Sequence, residues 1–423
     1  MNQNKLIVIS PYPPRNSLHG SKYSAIASYA KNTINSIRKS NQKTQFIVIA
    51  DILDEKEIYK ENGDIVCRVW RRNSPSIFFE ILKIILQNAK SKKVLFEFEF
   101  GMFGGNKILI LIAPFFLLLL RILGKEVYLV NHSFISSSQE VSVQLEIGKS
   151  RFIMRFYDIG LKILYLLLVR ISDKTIVFEE SMKSNMVKSL KVSRDKIVVI
   201  PHGVEDNRKI IDKALAREKL NIPQDEFIIL CFGFLIWYKG SDWLIDTFSD
   251  LSTKGEISSK IRLIMAGDFS KIHRKDKIYQ KYVVETENKL RRSREHIEFT
   301  GFIPEDRIDL YFSAADLIIL PHRVLISASG PFSFAISHKK PFILSSALNG
   351  YALNKDFRTS MHVNNIHEDE VFFDGRGEKD LGKLINYYYS RPESLKKLSN
   401  LSVNLLSERA WFRIGRKYYE TIF

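Results

Sequence analysis

The chain has 423 residues, 45% apolar and 26% charged, with a formal net charge of +17. That length suits two domains, each able to bury a full core. The two cysteines, Cys67 and Cys231, lie far apart in apolar runs, which excludes a disulfide framework or a cysteine-based metal site and points to a reduced, cytosolic protein. The opening MNQNKLIVISPYPP meets its prolines too soon for a signal peptide. Residues 1–200 carry 30 Lys and Arg against 17 Asp and Glu, whereas residues 201–423 carry 34 against 30. A basic first half suits an anionic partner such as a membrane surface or an acidic small molecule. Nucleic acid is disfavoured, because there is no zinc-finger spacing, RNP-type strand or Arg-rich tail.

In chain order, LIVIS at residues 6–10 leads through PYPPRNSLHG into a helical pattern over 22–38. TQFIVIA, IVCRVW, KVLFEF, KEVYLVN, KTIVF and KIVVIP follow as short strands with helical patterns between most of them. Continuous β-rich apolar runs imply parallel strands buried on both faces, and their alternation with helices implies a doubly wound α/β sheet. Residues 108–120 form a thirteen-residue apolar run containing Pro114, too short to span a membrane and expected as a buried or surface-dipping helix. Residues 152–171 form an amphipathic helix. Its charged stripe, mostly basic with Arg155, Asp158 and Lys162, suits either solvent or an anionic bilayer.

After PHGVEDNRK the pattern restarts with EFIILCFG, a helix from about Gly240, IRLIMAG, HIEFTGF, a helix over 304–314, DLIILP, a further helix and PFILSS. This is a second α/β layer, with the boundary within 203–223. The run Arg291-Arg292-Ser293-Arg294 reads as a solvated helix face, and a last helix is expected from Trp411 to Tyr419.

Ligands of such sheets bind at the C-terminal ends of the strands. Gly233 follows EFIILCF, and Lys239-Gly240 opens the next helix. A lysine beside a helix N-terminus is a receptor for a diphosphate. Gly267, Gly301 and the His322-Arg323 pair end three further strands. Ser327, Ser329 and Gly330 then lead into a helix whose backbone N–H groups and hydroxyls can meet a phosphate or sugar. In the first half, Glu97 and Glu99 alternate with phenylalanines at a strand end, where a buried carboxylate is costly unless used. His202 is expected to be structural.

KIVVIPHGVE, FGFLIWYKGSDWLIDTF, IEFTGFIPEDRIDLYFSAADLIILPHR and ASGPFSFAISHKKPFILSS, in this order and spacing, resemble glycosyltransferase family 4, within the group 1 glycosyltransferases. FEFEFGMFGG, YLVNHS and PYPPRNSLHG resemble motifs of the first half of one branch of that family. The resemblance implies a GT-B fold, with two Rossmann-like doubly wound parallel-sheet domains facing a central cleft. It implies an N-terminal acceptor domain over 1–205, a C-terminal donor domain over 206–400 and a C-terminal helix over 401–423 that crosses back to the first domain. It also implies retaining transfer of a sugar from a nucleotide-sugar donor with no cofactor and no essential metal. Lys239 matches the donor-phosphate lysine, Gly20 the loop glycine near the phosphates, His132 the histidine contacting the transferred sugar and Glu99 the glutamate of the branch. Two positions depart from the pattern. Phe234 stands where many members have Arg, and Ile326 and Phe334 stand where they have a pair of glutamates; Ala328-Ser329-Gly330 matches a branch with Ser-Gly there.

The expected function is transfer of a hexose-type sugar to a lipid-linked or polysaccharide acceptor in cell-surface glycan biosynthesis, by a cytosolic protein peripheral to the membrane. His132 and Glu99 are the candidate catalytic residues. Gly20, Gly233, Lys239, Gly267, Ser327, Ser329 and Gly330 are the candidate donor-binding residues. Two readings compete: a nucleotide-sugar epimerase or hydrolase of the same fold, and an inactive sugar-nucleotide-binding scaffold.

Overall fold

The seven strand-like runs of the first half become strands of one eight-stranded sheet, while the apolar run at 108–120 is helical. The five runs of the second half supply all but β14 of a six-stranded sheet. The computed structural model describes residues 4–15, 25–137, 151–270, 277–374 and 377–423. Two units emerge: Met1–Ser136, Phe156–Gly203 and Trp411–Phe423 form unit 1, and Ser137–Arg155 with Val204–Ala410 form unit 2. The units part at 203/204, and the last segment of unit 1 begins at Trp411.

Unit 1 runs β1 (Lys5–Ile9), α1 (Ala25–Ser40), β2 (Gln45–Asp51), β3 (Glu57–Glu61), β4 (Asp64–Trp70), α2 (Ile77–Gln87), β5 (Lys93–Phe98), α3 (Lys107–Ile122), β6 (Glu126–Asn131), α4 (Arg151–Ile171), β7 (Lys174–Val177), α5 (Glu180–Leu190) and β8 (Ile197–Val199). Spatial order is β3-β4-β2-β1-β5-β6-β7-β8. All pairs are parallel except β3 with β4. β3 has the sequence EIYKE and was not anticipated. It is an edge strand with three exposed residues, so it lacks the apolar run that marks a central strand.

Helices α2 to α5 bury one side against the same face of this sheet: Ile81, Leu109, Phe116, Leu120, Leu164, Leu168 and Met186 share a core with Phe96 and Leu129. Asn106 caps α3, its side chain accepting from the amides of Ile108 and Leu109.

Unit 2 runs α6 (Lys213–Leu220), β9 (Phe227–Phe232), α7 (Ser241–Thr253), β10 (Ile261–Ala266), α8 (Lys277–Arg292), β11 (Ile297–Gly301), α9 (Glu305–Ala314), β12 (Leu317–Leu320), α10 (Gly330–Ser337), β13 (Phe342–Ser345), α11 (Lys355–Val363), α12 (Glu368–Val371), β14 (Phe372–Phe373), α13 (Glu378–Ser390) and α14 (Pro392–Arg409). The sheet order β11-β10-β9-β12-β13-β14 is wholly parallel. It reverses direction between β9 and β12, the switch point where open sheets of this kind gather their ligands. Helix α15 (Trp411–Ile422) closes the chain. It packs on α1 within unit 1, where the Tyr29 and Tyr418 hydroxyls meet at 2.7 Å in the interior.

Candidate functional site

In unit 2 the ends of β9, β10 and β12 lie side by side at the switch point. Gly233 follows β9 with φ +118°, and its amide donates to Ala266 O at 2.9 Å. Gly267 follows β10 with φ +152°, and a Cβ there would collide with the Gly233 carbonyl. The glycine at 267 is therefore demanded by the neighbouring strand end, and its part in the site is to let the two loops close up.

Lys239 sits in a single 3₁₀ turn, Trp237–Lys239, just before α7. A Cβ built on Gly233 would stand 3.1 Å from both Lys239 Nζ and Pro331 Cγ, which places the ammonium over the β9 end beside the first turn of α10. Burial pushes its pKa down to about 8. The ammonium takes part in no hydrogen bond or ion pair among the described residues. The nearby Cys231 thiol cannot neutralise it, since burial raises that thiol to about 12. A desolvated cation without a counter-ion is costly, and an anionic ligand relieves the cost.

Arg323 holds this turn in place. Its guanidinium donates to Trp237 O at 2.7 Å and to both Asp242 carboxylate oxygens at 2.7 and 2.9 Å, while lying over the Trp237 ring. Asp242 is in the first turn of α7, so one fork fixes β12, the 3₁₀ turn and the helix behind it. His322 is buried beside Lys239. Burial and that cation lower its pKa to about 3, and its Nδ1 has no partner. A neutral imidazole with an orphaned nitrogen is a second group that lacks a ligand here.

The α10 start is more committed than its sequence suggests. Ser329 is the N-cap: its hydroxyl accepts from Phe332 N at 3.4 Å, and its amide donates to the Tyr351 hydroxyl at 3.3 Å. Pro331 has no N–H and the Phe332 amide is taken by the cap, so of the first three helical amides only that of Gly330 is left to a ligand. A Cβ on Gly330 would meet nothing, which leaves open space beside that amide. Ser327 is half-buried and makes only a long 3.5 Å contact to Ala328 O. Phe334 is packed against Phe232 and Phe312 with the Arg208 guanidinium 4.9 Å from its ring centroid, while Phe234 is exposed. At Phe334 an aromatic cluster thus occupies a position where the resemblance implies a carboxylate.

In unit 1, His132 follows β6, and its Nε2 lies 2.6 Å from Glu97 Oε2. Glu97 is fully buried, and its Oε1 has no partner. Tyr29 and Phe178 press edge-on against the imidazole at 5.0 and 5.1 Å. Glu99 faces differently. Its Oε2 accepts from Gly101 N at 2.7 Å and caps a 3₁₀ turn over Phe100–Phe103. Desolvation raises its pKa, opposed by that amide, His132 and Arg72. Glu97, then, is the carboxylate bonded to His132, a pairing the alternation of FEFEF could not resolve. His202 donates from Nδ1 to Gly203 O at 2.8 Å and packs with Tyr29 and Trp411, a structural setting. Gly20 lies outside the described residues.

Residues 212–345, which span the β9–β13 strand ends, match the family model described as glycosyl transferases group 1. A stretch of 184 residues is 24% identical to an uncharacterised glycosyltransferase of Methanocaldococcus jannaschii, covering 41% of this chain and 43% of that protein. The fold is that of sucrose-phosphate synthase from Thermosynechococcus elongatus, with TM-score 0.71 at 13% identity over 99% of this chain and 98% of that one. It is likewise that of Anabaena HepE, crystallised with UDP-glucose, with TM-score 0.63 at 15% identity over 99% and 98% of the two chains. The architecture is therefore GT-B, two parallel-sheet α/β domains.

Proposed function

We propose, from a chain whose donor-type half carries the group 1 glycosyl transferase pattern, that this protein is a retaining glycosyltransferase using a nucleoside-diphosphate sugar. The transferred sugar is of hexose type, and the acceptor is a lipid-linked or polysaccharide glycan made at the inner face of a membrane. The observation that carries the reading is the desolvated Lys239 ammonium, which has no partner among the described residues and lies over the β9 end on a turn held by Arg323. Glycosyl transfer breaks the bond between the anomeric carbon and the donor diphosphate, passing through an oxocarbenium-like centre while negative charge builds on the departing phosphate. A pre-placed cation favours that charge more than the ground state. In this reading the positive charge comes from Lys239 rather than from a resident metal ion. The Gly330 amide supplies a neutral donor, and the orphaned His322 Nδ1 a further polar contact. On unit 1, His132 is the candidate contact to the sugar, with Glu97 fixing its orientation.

The test is a thermal-shift titration with nucleoside diphosphates and nucleotide sugars, followed by turnover assays with and without EDTA. UDP or another nucleoside diphosphate is expected to raise Tm by several degrees at saturation, and turnover to be unchanged by EDTA. If no nucleotide moves Tm, a scaffold that binds no sugar nucleotide replaces this reading, whereas a shift without turnover points to an inactive sugar-nucleotide-binding protein. Donor consumption that proceeds at full rate without acceptor favours an epimerase or hydrolase.

A further inference from the structure

The side of α3 turned away from the core is apolar along its whole length. Ile108, Leu111, Phe115, Leu118 and Ile122 are all exposed, three of them by more than 60%. They recur at three- and four-residue spacing, opposite the buried Leu109, Ala113, Phe116, Leu117 and Leu120. A helix packed on a sheet ordinarily presents charge to solvent on that side. α3, however, has the sequence KILILIAPFFLLLLRI, with no acidic residue and one basic residue near each end.

The neighbouring helices extend the patch. α2 packs beside α3 through Phe78 and Phe116, whose rings lie 4.9 Å apart, and exposes Phe79 and Leu86. α4 is joined to α3 by Lys107 Nζ, 3.3 Å from the Tyr157 hydroxyl and over its ring, and exposes Phe156, Ile159 and Ile163. All three helices cover the same sheet face, so their outer sides share one surface. Exposed large apolar side chains on three adjacent helices are more than the scattered single exposures usual on a soluble monomer.

Charge selects the occupant. Lys83 on α2, Lys107 and Arg121 at the ends of α3, and Lys162 and Arg170 on α4 are exposed around the apolar side chains. Phenylalanines, leucines and isoleucines framed by lysine and arginine match the boundary between acyl chains and anionic headgroups. No helix among the described residues is long and apolar enough to cross a membrane, so the contact would lie in the interface plane.

We infer that the outer surface of α2, α3 and α4 is a membrane-docking face for an anionic lipid bilayer. The docking stands on this surface alone. Only its use, bringing unit 1 to a lipid-linked acceptor, rests on the glycosyl-transfer reading.

Flotation of the full chain with phosphatidylcholine vesicles, with and without phosphatidylglycerol, tests it at low salt. The wild type is expected to float with the anionic vesicles. Combined Leu111→Gln, Phe115→Gln and Ile122→Gln should reduce the bound fraction at least tenfold. The pair Lys83→Glu and Lys162→Glu, two lysines with no ion-pair partner among the described residues, should weaken binding about fivefold for each charge removed. A wild-type chain that stays at the bottom of the gradient overturns the inference. So does a dimer that the triple variant converts to monomer, because the face would then join two copies of the chain. The nucleotide thermal shift is run on the same samples. If it is absent while flotation holds, the transferase reading fails and the docking face stands. If it persists while flotation fails, the reverse holds.

Discussion

The strand-end clusters of the two units use the same topology for opposite electrostatic ends. In unit 1, the groups at the ends of β5 and β6 find each other: Glu97 bonds His132, and Glu99 is bound by the Gly101 amide. In unit 2, the groups at the ends of β9 and β12 are kept apart, with Lys239 lacking a counter-ion among the described residues and His322 Nδ1 orphaned. The lesson is that a cluster whose charged groups pair with one another holds a shape, even with one Glu97 oxygen left over, whereas an unpaired buried charge favours an anion. Unit 2 itself contains the control. Lys340 is equally desolvated, with its pKa also lowered to about 8, yet its ammonium donates to Ser313 O and Ala315 O at 2.8 Å. It closes the end of α9 and has no ligand to await.

The contrast can be broken most forcefully at Lys239. Lys239→Ala should weaken binding of a nucleoside diphosphate about 10- to 100-fold, the worth of a charge-assisted contact, while leaving Tm without nucleotide unchanged or higher. Calorimetric titration measures the first and a melting curve the second; wild-type affinity in the variant would take the lysine out of the site. Next comes Glu97→Gln. It should cut turnover about tenfold by releasing His132 from its oriented bond, with the nucleotide-induced shift in Tm intact.

A pH series gives a comparable effect with a defined sign. Lys239 holds its proton below about 8 and releases it above. Diphosphate affinity should therefore be full on the acid side of that value and fall about tenfold for each further pH unit. An affinity that stays flat to pH 10 would assign the anion contact elsewhere. The smallest expected change is Ser329→Ala. Loss of the N-cap costs about 1 kcal/mol, a drop of a few degrees in Tm, with nucleotide affinity nearly unchanged because the hydroxyl serves its own helix.

Much of this was legible in the sequence, because buried parallel strands must be continuous apolar runs and ligand loops must follow them. LIVIS, KVLFEF, EFIILCFG and DLIILP declared themselves in that way, and the glycines and lysine at their ends came with them. What escaped was whatever depends on three-dimensional pairing. EIYKE is an edge strand whose partner, not its composition, makes it β. In FEFEF, residues 97 and 99 have the same parity, so alternation puts both on one face. The chain leaves the sheet after Phe98, and that break sends Glu97 to His132 and Glu99 to a turn amide. The SASG segment showed a helix start, but not that the Tyr351 hydroxyl and the helix itself would consume its donors and acceptors.

The packing of α15 on α1 has a consequence for how the protein is made. Gly415 lies against the Ser36 backbone so closely that a Cβ would collide with it, and the Tyr418 hydroxyl meets that of Tyr29 in the interior. These partners are separated in the chain by the whole of residues 204–410. A ribosome needs roughly ten to forty seconds to cover that distance. Through that interval the nascent first unit has its sheet but lacks one of its helices, and the α1 side that Gly415 and Tyr418 will cover is open to chaperones and proteases. The second unit is thus synthesised in full before the first can finish folding.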